Sequence, residues 1–232
     1  MTATAQSPPS TRPAILASRA AHISQRLKKE YGPVPRGKAH HPTDSLIHTI
    51  LSQHTADRNS GAAFAALQRR YATWQEVAAA PTRELASTIR SAGLANVKAV
   101  RIQEALRTLE DRFDSMDLDF LKQLPLDEAR RVLLSLPGVG AKTAACVLLF
   151  SCDLPALPVD THVHRVSRRL GLIGPRVTAE AAHAELQALI PPEDVYDFHV
   201  NLIRHGRLVC RAREPRCGEC VLQSVCEYYR CG

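Results

Sequence analysis

The chain has 232 residues, 45% of them hydrophobic, which is enough for a real core and excludes wholesale disorder. Aromatics are only 5%, so that core must be aliphatic and alanine-rich, and the longest apolar run, Ala144 to Phe150, is far too short to span a bilayer. The formal charge of +7 favours an anionic partner, but residues 1–35 alone hold five Lys/Arg against one acid while the rest is nearly balanced, so local motifs must carry any claim of nucleic-acid binding.

The first sixteen residues are rich in Ser, Thr, Pro and Ala without periodicity and read as a disordered basic tail. Pro8 and Pro9 speak against the amphipathic helix of an organellar transit peptide, and no signal segment opens the chain, so a soluble, cytoplasmic protein is expected. Beyond the tail the pattern is helical. Apolar stripes are expected at Leu46, Ile47, Ile50 and Leu51, and at Val97, Val100, Ile102, Leu106 and Leu109. Others follow at Val132, Leu133 and Leu136, at Val147, Leu149 and Phe150, at Val163, Val166 and Leu170, and at Leu186, Leu189 and Ile190. Period-2 alternation is absent, and Pro81, Gly93, Pro125, Pro137-Gly138 and Gly174-Pro175 punctuate the run. An all-α fold of about ten short helices is predicted.

The segment Leu136-Pro137-Gly138-Val139-Gly140-Ala141-Lys142-Thr143-Ala144 lies between a helix near Asp127–Ser135 and another near Lys142–Phe150. Two glycines in a short turn permit positive φ and close approach by another backbone. The N–H groups that open the second helix then make a cradle for phosphate that reads no sequence. A bare Gly-x-Gly is more often an ordinary tight turn. Here the nine residues resemble the helix-hairpin-helix motif of DNA-repair glycosylases, with Gly138, Val139 and Gly140 as its DNA-contacting turn. Lys142 falls in the first turn of the second helix, where the dipole disfavours an ammonium, a placement that suits an amine nucleophile.

Pro158-Val159-Asp160-Thr161-His162 precedes the stripe from Val163, so Asp160 stands at a helix N-cap, and a purely structural cap is the ordinary reading of such an Asp. The helix after Lys142 is about 13 Å long, and nine linking residues reach up to roughly 30 Å, so the chain can bring Asp160 back beside Lys142. A carboxylate there raises a lysine pKa rather than lowering it. Its consistent role is to stabilise positive charge on a sugar and help move a proton.

Seven cysteines make an odd count, against a disulfide framework, and Cys210, Cys217, Cys220 and Cys226 cluster in seventeen residues. The spacing Cys-x6-Cys-x2-Cys-x5-Cys signals a metal site and by itself leaves zinc and iron–sulfur open. It resembles the C-terminal [4Fe–4S] loop of endonuclease III-type glycosylases, as does the preceding His205-Gly206-Arg207. Arg211 and Arg213 lie inside the loop, where they are either a solvated face or a fixed positive patch for DNA phosphates.

Hairpin, aspartate segment and cysteine loop together resemble the endonuclease III family from about Ala20 to Tyr228. The resemblance implies two helical domains with a DNA groove between them. One is a six-helix barrel over 36–154; the other, residues 17–35 with 155–232, carries the cluster. It implies a bifunctional glycosylase and abasic-site lyase acting as a monomer on duplex DNA with oxidised pyrimidines or abasic sites, with Lys142 as nucleophile and Asp160 as catalytic carboxylate. It also implies that Ile50–Asp57 and Ala92–Ala99 are the loops that fill the hole left by a flipped base, with Gln53, His54 and Leu94 as the filling residues. His54 stands where family members often have glutamine, and Ala95 replaces a tyrosine. The rivals are a monofunctional mismatch glycosylase of the same superfamily, a non-catalytic DNA-binding module and a redox-active iron–sulfur carrier.

Overall fold

The structure is a computed structural model that describes residues 11–37 and 39–230. Among these residues there is no β-strand. Twelve α-helical segments run in the order α1 Thr11–Tyr31, α2 Pro42–Ser52, α3 Asp57–Arg70, α4 Trp74–Ala79, α5 Thr82–Thr88, α6 Ala95–Phe113, α7 Leu126–Leu134, α8 Ala141–Ser151, α9 Thr161–Arg169, α10 Ala179–Gln187, α11 Val195–Leu208 and α12 Glu227–Arg230. The all-α expectation holds. No helix among the described residues is long and apolar enough to cross a membrane. The expected tail needs correction: residues 11–16 already belong to α1, while residues 1–10 lie outside the described residues. Pro13 is tolerated because it falls in the first turn, where its missing N–H has no intrahelical acceptor.

The described residues divide into two compact units, residues 36–158 and residues 11–35 with 159–230. In the 36–158 unit, α2 is central and buries Leu46, Ile47, Ile50 and Leu51. It packs on α8, which buries Ala144, Ala145, Val147 and Leu148. The rest of the core is aliphatic, with Leu67, Val77, Leu85, Ile89, Ile102, Leu106, Leu109 and Leu133 all buried. Buried Thr43 ties the start of α2 to the 116–118 loop, donating to Met116 O at 2.9 Å and accepting from Leu118 N–H at 3.1 Å.

The stripe expected on α6 is only half right. Ile102, Leu106 and Leu109 are buried, but Val97 and Val100 are 48% and 43% exposed. Extended back by three and four residues, the stripe runs through Ala99 and Lys98, and both are buried. Phe150 is likewise on the surface of α8, not in its core.

In the other unit, α9 and α11 pack together, and α1 packs along α11. Ile23 and Leu27 of α1 are buried, as are Val163 and Val166 of α9 and Phe198 and Leu202 of α11. Gly206 permits the close approach of α11 to α9: a Cβ there would stand 3.1 Å from the His162 side chain.

Candidate functional site

The turn between α7 and α8 is built around Gly138. Its φ of +75° is left-handed, and a Cβ there would come within 2.9 Å of the Arg101 side chain. Gly140, the N-cap of α8, has an ordinary φ of −97° and open space where a side chain would be. Only one of the two glycines therefore meets a backbone demand; the other leaves room. Val139 departs from its expected role. Its side chain is buried in the core and its N–H is spent on Leu136 O at 3.2 Å, so it anchors the turn from within. The first bond of the α8 ladder is donated by Ala144 to Gly140 O, which leaves the N–H groups of Ala141, Lys142 and Thr143 outside the ladder at the positive end of the helix. Lys142 projects from this first turn and is exposed.

Gln53, the C-cap of α2, lies against this turn. Its Nε2 donates to Gly138 O and to Thr143 Oγ1, both at 3.4 Å, and its Oε1 accepts from Arg101 Nη1 at 3.2 Å. The structure thus brings Gln53 together with the hairpin and commits part of its amide to holding it.

His54 and Leu94 share an unusual backbone. Both are left-handed, with φ of +54° and +48°, although neither is glycine. Such a conformation costs an L-residue roughly 1–2 kcal/mol and persists only where the surroundings enforce it. His54 is exposed, and Leu94 is 62% exposed at the mouth of α6. The loops that carry them are joined beneath. Thr55 Oγ1 donates to Ala92 O and, at 3.1 Å, to Gln53 O. Lys98, only 2% exposed, donates to Leu51 O and Thr55 Oγ1 at 2.7 Å and to Ala92 O at 2.8 Å. Lys98 falls within the Ala92–Ala99 loop, where the sequence pattern assigned it no role. The signal was available, since the buried stripe of α6 extrapolates onto it.

In the 159–232 segment, Asp160 is the N-cap of α9 and accepts from Val163 N–H at 2.7 Å through Oδ1, leaving its other oxygen outside that bond. The far end of α9 organises the cysteine loop. Arg165 donates to Cys210 O through Nε at 3.2 Å and Nη2 at 3.1 Å, and to Gly206 O at 2.8 Å. Arg169 donates to Arg211 O at 2.6 Å, Ala212 O at 3.1 Å and Cys210 Sγ at 3.4 Å, and its guanidinium lies 4.6 Å from the Tyr228 ring centre. These two arginines, missed in the sequence, hold the loop by its carbonyls. Arg211 and Arg213 themselves are exposed.

Cys210, Cys217, Cys220 and Cys226 are free thiols lining one small pocket. Burial, and then the surrounding Cys210, Cys226 and Cys217, push the Cys220 thiol up to about 11. Four sulfurs so placed ionise together only around a compensating cationic group. Tetrahedral zinc sets thiolates about 3.8 Å apart, given Zn–S bonds near 2.3 Å. Among the described residues no three of these cysteine sulfurs lie within 4.8 Å of one another. Their placement therefore does not match the close spacing that a single tetrahedral zinc ion needs. His205 lies beside Cys220: its Nε2 is 3.5 Å from Cys220 Sγ and its Nδ1 2.9 Å from the Tyr31 hydroxyl, and burial lowers its pKa to about 4, so it is neutral.

An all-α chain with a glycine hairpin, an exposed lysine at a helix start, an aspartate cap and a four-cysteine cage matches a known class. Residues 47–192 match the HhH-GPD superfamily base excision DNA repair protein family, and the chain belongs to that family. Within it the chain is similar to endonuclease III of Thermotoga maritima, 39% identical over 189 residues, covering 82% of this chain and 84% of that protein. It is also 35% identical to endonuclease III of Treponema pallidum over 91% of this chain and 97% of that protein. A solved structure of a non-covalent endonuclease III–DNA complex superposes with a TM-score of 0.78 at 31% identity, covering 92% of this chain and 96% of that one. The activity that goes with this membership is that of a base excision repair DNA glycosylase/AP lyase.

Proposed function

We propose that this chain excises oxidised pyrimidines from duplex DNA and nicks the strand at the resulting abasic site through a Schiff base on Lys142. The observation that carries the reading is the exposed Lys142 in the first turn of α8, directly after an open Gly138–Gly140 turn with unspent backbone N–H groups. Those N–H groups suit a phosphate of the strand, which would place the sugar within reach of the amine.

The chemistry follows from the groups present. The neutral Lys142 amine attacks C1′ of the damaged nucleotide; the C–N bond forms as the base leaves with the electrons of the glycosidic bond. The sugar ring opens to a protonated imine. A proton leaves C2′, the 3′ C–O bond breaks and the phosphate departs with its electron pair. Water then hydrolyses the imine and returns the amine. Asp160, with one oxygen outside its cap bond, stabilises the positive charge on the sugar and takes the proton that the attacking amine sheds. Gln53, His54 and Leu94 fill the hole left by the extruded nucleotide, which offsets part of the few kcal/mol that unstacking costs. Arg211 and Arg213 meet phosphates at the loop surface. Cys210, Cys217, Cys220 and Cys226 would hold a [4Fe–4S] cluster, an electron-storing group whose use here is to fix that loop.

Borohydride trapping on a duplex with one thymine glycol tests the reading. Wild type should give a covalent adduct and a nick. Lys142→Ala should give neither, and Asp160→Asn should be slower by roughly 10²-fold or more. Free base without adduct or nick would instead favour a monofunctional glycosylase that uses water.

A further inference from the structure

The two loops proposed to fill the hole in the duplex are not independent of each other. The Lys98 amine has three protons, and all three are spent: on Leu51 O at the end of α2, on Thr55 Oγ1 one residue after His54, and on Ala92 O two residues before Leu94. No carboxylate is among these partners. Burial lowers the Lys98 pKa, and the three oxygens, two of them backbone carbonyls, are what keeps the ammonium in place. A buried lysine without an ion partner costs more than a hydrophobic residue of the same length, so plain core packing does not account for it. What it does geometrically is join the two loops that hold His54 and Leu94 in left-handed backbone. Thr55 closes the same network through its own bonds to Ala92 O and Gln53 O.

We propose that Lys98 is the positioning residue for strand penetration: its ammonium, with Thr55, locks the spacing of the His54 and Leu94 loops so that both side chains enter the duplex as one unit. This inference rests on the function proposed above. Lys98 itself is too buried to touch DNA. Its effect passes through His54 and Leu94, and it belongs to the step that extrudes the nucleotide rather than to the chemistry at C1′.

The test is a double-mutant cycle of single-turnover base release from a thymine glycol duplex, with melting temperature read for every protein. Lys98→Met removes the three hydrogen bonds. Thr55→Val removes one acceptor while leaving the lysine, and serves if Lys98→Met does not fold; Thr55→Ser keeps the hydroxyl and should restore the rate. Lys98→Met and Thr55→Val should each slow base release by roughly tenfold or more, the scale of one lost charge-assisted hydrogen bond, and Leu94→Ala, which removes the apolar wedge itself, should slow it by at least as much. Combined with Leu94→Ala, the Lys98 or Thr55 change should add less than about threefold, because residues that act through one device are not additive. Losses that multiply in full, that follow melting temperature, or that Thr55→Ser fails to restore overturn the positioning role and leave the glycosylase reading intact. A wild type that releases no base from any oxidised-pyrimidine duplex overturns the function and this inference with it.

Discussion

Gly138 and Gly140 look alike in the sequence and do different work. A glycine letter carries no φ, so the motif alone suggests that both relieve backbone strain. In the fold only Gly138 is left-handed, and it faces Arg101. Arg101 is long enough to swing aside, but the φ is not negotiable. Gly138→Ala should therefore destabilise the 36–158 unit by roughly 1–2 kcal/mol, the cost of a left-handed L-residue. At Gly140 an alanine loses some N-cap preference and gains by restricting the unfolded chain. The two effects offset, so its stability should change by less than about 0.5 kcal/mol. The added methyl would instead stand in the open approach to the free N–H groups, and DNA affinity should fall. Thermal unfolding and duplex binding on the two variants separate the roles; equal stability losses would contradict the assignment. Lys98 teaches a related lesson. Its burial was legible in the spacing from Ile102, Leu106 and Leu109, but residue type argued for solvent, and Val97 and Val100 took its place in the expected stripe. What no local pattern conveys is the trio of oxygens, from Leu51, Thr55 and Ala92, that makes the buried amine tolerable.

Among the elements, α9 links two features that the sequence presents separately. Its first residue follows the Asp160 cap, and its last turn places Arg169 on the cysteine loop, with Arg165 one turn earlier on the same face. The cap was readable because Asp before an apolar stripe is a local signal. The arginine contacts were not, since their acceptors are backbone carbonyls some forty residues away. Arg169 spans Arg211 O, Ala212 O and Cys210 Sγ with one planar guanidinium while stacking on Tyr228. Lysine cannot reproduce that fork. With the proposed [4Fe–4S] cluster in the cage, Arg169→Ala and Arg169→Lys should both lose iron to a chelator faster, by roughly tenfold for the loss of a charge-assisted hydrogen bond. Iron content and the visible absorbance of the cluster would be followed in time. Release at the wild-type rate from both variants would mean that the cysteine loop holds its shape without α9.

For the whole molecule, the two units differ in what holds them. The 36–158 unit is one continuous stretch with a closed aliphatic core. The other is assembled from both ends of the chain, and its N-terminal part works as a strap. Lys28 pairs with Asp194 at 2.7 Å and Asp197 at 3.1 Å, Arg26 donates to Val221 O at 2.8 Å, and the Tyr31 hydroxyl meets His205 at 2.9 Å. That the chain is helical beyond residue 16 was legible in its pattern, whereas residues 11–16 read as tail by their composition although they open α1. That α1 lies along α11 was not legible, because nothing local in α1 encodes a partner some 170 residues away. Several of these ties converge on residues that border the cysteine cage: Val221 follows Cys220, and His205 touches its sulfur. With a cluster in the cage, the stability of this unit is linked to metal binding in the way of any group held only by the folded state. Stripping the iron should therefore act unevenly. Amides of α1, α9 and α11 should lose hydrogen-exchange protection by orders of magnitude, while those of α2 and α8, buried among Leu46, Ile47, Ala144 and Leu148, should keep theirs. Exchange measured by mass spectrometry before and after chelation decides it. Protection lost in both units together would show a single cooperative structure; protection kept in both would show that the four cysteines hold their loop without a metal centre.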